Sequence, residues 1–346
     1  MDALAAAGHR VEVASTFRTY DGEGDAGRQA ALRAQGEMLA GELAGQYLAM
    51  APADRPQLWF TYHLYYKAPD WLGPAISRAL GIPYVIAEAS HAEKRAKGPW
   101  RIGHEASAAA IRQAAIVFCP TRDDIGGLER IIDAKRIVHL PPFLDSALYR
   151  AAVARRDPLR AALCAERGLD AGVPWIAVVA MMRAGDKLAS YRLLAEATRS
   201  LDDVPWQLVI AGDGAVRPEV EKLFDHRAVF LGALPQRRIA EVLAASDICA
   251  WPAVNEAYGM ALLEAQAAGV PVISCATRGV PDVVVDGRTG MLVPYGDEEA
   301  FAAALRTLLT DHERRRALGR EAARYVVGER SLEAASAGIG AALSAL

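Results

Sequence analysis

Cysteine is scarce in this chain: four in 346 residues, at Cys119, Cys164, Cys249 and Cys275. Their spacing matches neither a zinc knuckle nor a redox Cys-x-x-Cys pair. They read as small apolar residues in a reducing compartment. Long apolar runs are also missing. The longest, Val173 to Met182, reaches ten residues with Pro174 counted, where a membrane helix needs about 20. There is no surplus of positive charge, because 39 Lys and Arg stand against 42 Asp and Glu for a net of −3. That excludes the basic field of a nucleic-acid binder. Lysine itself is rare, 6 against 33 arginines, and none stands out as an anchor for pyridoxal phosphate. No Asp-x-Asp pair occurs and no two histidines sit at ligand spacing, so no metal is expected. The first residues lack a basic flank and a long apolar stretch, so no secretory leader is expected and the expected location is cytoplasmic.

What is present is a rhythm. Short β-branched or aromatic runs alternate with longer Ala/Leu/Arg/Glu-rich stretches. The first half offers strands at Arg10–Ala14, Leu58–Tyr62, Tyr84–Ala87, Ile116–Cys119 and Arg136–Leu140. The second offers Trp175–Ala180, Gln207–Ala211, Val229–Leu231, Ile248–Trp251, Pro271–Ser274 and Gly290–Val293. Helices are expected at Arg28–Met50, Leu188–Arg199, Arg237–Ala245 and Ala257–Ala268, with a strand-free helical tail. Continuously apolar strands imply burial on both faces, as in a parallel sheet covered by helices. Two such series predict an α/β chain of two doubly wound, Rossmann-like domains. The prolines at 141 and 142 and the polar segment Arg155–Pro158 mark the boundary. The predicted divisions are residues 1–150, 151–328, and a C-terminal helix at 329–346 that crosses back to the first domain.

The opening is unusual for a doubly wound domain. The first residues read as the end of a helix capped at Gly8, with no strand before it. A central first strand is therefore expected to lie upstream, with Met1 an internal methionine and roughly 25–35 residues preceding it.

The most informative stretch runs from Asn255 to Ser274. Glu256 and Glu264 flank a helix start with seven residues between them. At about 1.5 Å per residue that spacing spans ~12 Å, the reach from sugar ring to ribose in an extended nucleotide sugar. Between them, Tyr258, Gly259 and Met260 offer free backbone N–H groups and a positive dipole end for a diphosphate. Taken alone, this pattern equally describes a helix with one acidic residue near its start and another on a solvated face.

The surrounding sequence favours the first reading. Glu256, Tyr258-Gly259, Glu264 and Ala267-Ala268-Gly269-Val270-Pro271-Val272-Ile273, followed by Gly279–Val284 and Asp286–Val293, resemble glycosyltransferase family 4, the retaining nucleotide-sugar transferases of GT-B fold. The strong likeness covers about 45 residues, with weaker likeness over most of the chain. It implies two domains facing across a cleft, with the donor held by the C-terminal one. By that resemblance Glu256 meets the donor sugar's hydroxyls, Glu264 the ribose, and Arg183 and Lys187 the leaving diphosphate. The Arg-to-Lys interval is four where the family has five, and the preceding Gly is missing. Gly212-Asp213-Gly214 lacks the third glycine of a dinucleotide fingerprint, Arg217 standing there. It matches the family's loop beside the nucleotide, with Leu231 placed near the base.

In the first domain the resemblance points to a histidine after the strand at residues 84–87. His91 is the residue assigned, two positions late, with Glu88 or Ser90 as alternatives. His63 is a further polar candidate, read mainly as core. The implied reaction is retaining transfer of a sugar to an acceptor hydroxyl of a glycan, a lipid-linked molecule or a small molecule, in envelope polysaccharide or glycolipid synthesis. The expectation includes no cofactor, no nucleic acid and at most peripheral membrane association. A non-catalytic or truncated sugar-nucleotide binder and a GT-B epimerase are the competing readings.

Overall fold

The apolar runs of the first half form four strands: β1 (Trp59–Leu64), β2 (Tyr84–Ala89), β3 (Ile116–Cys119) and β4 (Ile137–His139). They pair in parallel in the order β1-β2-β3-β4. Helices α1 (Asp2–Ala6), α2 (Ala26–Ala49), α3 (Gly73–Leu80), α4 (Arg101–Gln113) and α5 (Arg122–Leu128) accompany them. This computed structural model describes residues 1–224 and 226–346. Leu64, Tyr84, Ile86, Ile111, Val117 and Leu128 form the core between sheet and helices.

The second half builds a larger sheet from β5 (Trp175–Val179), β6 (Gln207–Ala211), β7 (Ala228–Gly232), β8 (Ile248–Ala250), β9 (Val272–Cys275) and β10 (Gly290–Val293). All pairs are parallel, in the order β10-β9-β8-β5-β6-β7. Its helices are α6 (Ala147–Val153), α7 (Arg156–Arg167), α8 (Asp186–Arg199), α9 (Arg217–Glu221), α10 (Gln236–Ala245), α11 (Met260–Ala267), α12 (Glu298–Thr310) and α13 (His312–Glu329), and α14 (Leu332–Leu343) follows them in the chain. The strand order reverses between β5 and β8, which makes the loops after those two strands the place where a doubly wound sheet binds ligands. Asp247 fixes this pair of strands from their opposite ends. It accepts from the Trp175 backbone N–H at 2.9 Å, from Arg160 at 2.9 Å and from Arg156 at 2.7 Å.

Two expectations are corrected. Arg10–Ala14 is no strand: Val13 is exposed, and an extended segment becomes a strand only when a neighbour takes its N–H and C=O groups. The division falls at Pro141/Pro142 rather than at residue 150, because α6 and α7 pack on α10 of the second sheet. Ser336–Leu346 group with the first domain and the residues before them with the second. Among the described residues, no helix is long and apolar enough to cross a membrane.

Candidate active site

The loop after β5 carries Arg183 and leads into α8, whose second residue is Lys187. A lysine in the first turn faces an unfavourable helix dipole, so its charge needs a partner elsewhere. The partner is Glu256, in the loop after β8, which accepts a hydrogen bond from the Lys187 Nζ. Both side chains are 20% exposed. Lys187 also lies over the Trp251 ring, 5.4 Å from its centroid, and Trp251 Nε1 approaches the same Glu256 oxygen at 3.5 Å. The shorter Arg-to-Lys interval thus leaves Lys187 within reach of the glutamate. Arg183 is exposed and forms no ion pair among the described residues.

The Glu256 loop holds unusual backbone. Ala253 (φ 57°) and Asn255 (φ 51°) are left-handed without being glycine. Such positions cost about 1–3 kcal/mol each and concentrate at functional sites. Asn255 is secured from two sides, donating to Asp186 at 2.9 Å and accepting from Arg278 at 3.3 Å. Gly259 (φ 77°) stands at the N-cap of α11, within the Tyr258–Met260 stretch read from the sequence as the helix start, and no side chain caps the helix. A Cβ at Gly259 would stand 3.0 Å from Leu262 and 3.5 Å from the Glu256 side chain. Met260 is the first helical residue, partly exposed, and Tyr258 packs on the core. The Leu262 N–H turns back onto the Gly259 carbonyl at 3.0 Å, and no side chain caps the amides of Met260 and Ala261 before it, the place where a helix start receives an anion.

Glu264, one turn before the end of α11, is partly buried. Desolvation pushes its carboxyl above the ordinary range, while a hydrogen bond with Tyr149 pulls the other way. Tyr149 is itself buried on α6. Sequence reasoning missed it, because nothing in its surroundings marks a tyrosine before the second domain's first strand as a partner for Glu264.

Gly212 and Gly214 are required by close approach. A Cβ on Gly212 would fall 1.9 Å from the Ala180 carbonyl oxygen, and one on Gly214 2.3 Å from that of Met182. The Met182 N–H donates to the Asp213 carbonyl at 2.9 Å, and the Gly212 N–H to that of Gly232 at 2.8 Å. The loops after β5, β6 and β7 are thereby laced into one rim. Leu231, next to Gly232, is buried.

In the first domain, β1 and β2 end in a mirrored irregularity. Tyr62 pairs with Ala87 and Leu64 with Ala89, while between them His63 (φ 63°) and Glu88 (φ 60°) are both left-handed. His63 Nδ1 lies 3.2 Å from Glu88 Oε1, and Tyr62 also hydrogen-bonds Glu88. The Glu88 hydrogen bond raises the His63 pKa, outweighing the opposite effect of its burial. His63 is half-exposed rather than core. His91 is placed differently: its ring is 3% exposed, 3.2 Å from Glu93 and tilted at 39° to the His104 ring.

Residues 174–311 match the family of glycosyl transferases group 1. The second domain is a group 1 glycosyl transferase domain. The chain is 34% identical over 209 residues to a D-inositol 3-phosphate glycosyltransferase of Nocardia farcinica, a match covering 57% of this chain and 45% of that protein. It spans less than half the length of such curated relatives. Among solved structures, a glycosyltransferase from Rickettsia africae aligns at TM-score 0.71 and 16% identity, covering 89% of this chain and 79% of that one. Anabaena HepE in complex with UDP and glucose aligns at TM-score 0.66 and 17% identity, covering 89% and 82%. These neighbours are GT-B glycosyltransferases, and the two parallel-sheet domains agree with the fold expected from the sequence. The group 1 domain contains Glu256, Glu264, Arg183, Lys187, Gly212 and Leu231; Tyr149 lies upstream of the matched span.

Proposed function

We propose that the protein is a retaining, family 4 glycosyltransferase that moves a sugar from a nucleoside diphosphate sugar to an acceptor hydroxyl. The observation that carries this reading is the Lys187–Glu256 pair at the reversal of strand order, next to the uncapped start of α11. Arg183, Lys187 and the α11 amides supply positive charge where a diphosphate leaves. Fixed charges and dipoles aimed at developing charge are worth several kcal/mol. Glu256, anchored by Lys187 and Trp251, meets the donor sugar's hydroxyls, and Glu264 accepts from the ribose.

The reaction breaks the anomeric carbon–oxygen bond and forms a new one on the same face. The departing phosphate oxygen takes the acceptor's proton, so no enzymic nucleophile is required. Of the first-domain candidates His91, Glu88 and Ser90, we favour Glu88 for a ligand-binding role. It sits at a strand's carboxyl end in strained backbone, whereas the His91 ring is buried.

The test is incubation with UDP-, GDP-, ADP- and TDP-sugars, following nucleoside diphosphate release and the anomeric configuration of the product by NMR. Release with retained configuration is expected. An inverted product, or binding without release from any donor, overturns the assignment.

A further inference from the structure

One cluster in the first domain is used by none of this chemistry. His91 and Glu93 lie in the segment after β2, and His104 is the fourth residue of α4. Each offers one ligand atom, and the three atoms lie within 4.8 Å of one another. His91 Nε2 is 3.2 Å from Glu93 Oε2, and the two imidazole centroids are 4.9 Å apart.

Two further observations separate this group from a solvated patch. Both rings are buried, His91 at 3% side-chain exposure and His104 at 7% residue exposure. In addition, His104 Nε2 is sealed from solvent with no hydrogen-bond partner. Buried polar atoms are almost always partnered, and one that is not calls for a ligand or another explanation. The His104 ring is also held by the Ala92 backbone, the kind of outer contact that orients a metal-binding imidazole.

We propose that His91, Glu93 and His104 bind a divalent transition-metal ion of the zinc type. Two imidazoles and one carboxylate are a donor set for such ions, with further positions left for water. The carboxylate offsets part of the ion's charge. Ligand atoms around tetrahedral zinc lie roughly 3.3 Å apart, from metal–ligand distances of about 2.0–2.1 Å. The set must therefore contract, and the exposed Glu93 side chain is free to swing inward. Bound metal would clasp the segment from residue 90 to residue 100 onto α4. The sequence spacing, His-x-Glu followed by a histidine eleven residues on, gives no sign of this; the fold assembles it.

The full chain, stripped with chelator, is titrated with Zn²⁺ by calorimetry and with Co²⁺ by visible absorption. One equivalent per chain and nitrogen-ligated Co²⁺ bands are expected. Glu93→Gln, at a position 66% exposed and so harmless to folding, should weaken Zn²⁺ binding about tenfold or more. His104→Gln should abolish the bands. Absence of stoichiometric uptake overturns the proposal. So does uptake unchanged by Glu93→Gln, which would place the ion elsewhere, and that variant decides the matter if His104→Gln fails to fold.

Discussion

Lys187 and Glu256, 69 residues apart in sequence, meet through a single ammonium–carboxylate hydrogen bond. The pair joins the loops on either side of the strand reversal, so each residue positions the other. Replacing Glu256 by Gln removes the negative charge and leaves Lys187 unneutralised beside Trp251. Turnover should fall about a hundredfold or more, the scale for losing one preorganised charge contact, while nucleoside diphosphate affinity stays within a few-fold. Steady-state rates and calorimetric affinities check this, and unchanged turnover would remove Glu256 from the reaction.

Arg183 differs from Lys187 in lacking an ion-pair partner among the described residues, so its charge is available to a ligand. Arg183→Ala should weaken nucleoside diphosphate binding by about 2 kcal/mol, with a smaller effect on the nucleoside alone. Equal affinities for the wild type and the variant would take the arginine out of the diphosphate contact.

Glu264 links binding to stability. Desolvation makes the folded chain hold its proton more tightly than the unfolded chain does. Stability contributed by this group therefore declines as pH climbs from the ordinary carboxylate range through the raised value, and levels off above it. Glu264→Gln should remove that decline in thermal melts while lowering nucleotide affinity about tenfold. Tyr149→Phe removes the opposing hydrogen bond, so the affinity–pH profile should move toward higher pH.

His63 and Glu88 give a prediction of the same sign in a higher pH range. The Glu88 contact raises the His63 pKa, so its stabilisation is complete below the ordinary histidine value and is lost as pH rises through the folded one. In an NMR titration, Glu88→Gln should return the His63 midpoint downward. An unmoved midpoint would mean that the 3.2 Å contact carries no charge coupling in solution.

The second domain was legible in detail because its strands are short, continuously apolar and bounded by glycine or proline. β6 and β10 have the limits read from their residues alone, and Glu256 and Glu264 stand in one motif-rich region. The first domain was harder to read. Arg10–Ala14 has the pattern of a strand but no ladder, a fact about neighbours rather than composition. The left-handed backbone at His63 and Glu88 depends on two strands ending side by side. Tyr149 escaped notice because it reaches Glu264 through helix packing, across more than a hundred residues of chain.

The bare start of α11 has a practical side. A helix start with no side-chain cap attracts small inorganic oxyanions as well as nucleotides. Phosphate or sulfate in a purification or assay buffer should therefore act as a competitive inhibitor. An enzyme judged sluggish in phosphate should regain speed in a buffer whose anion is too weakly charged to lodge there.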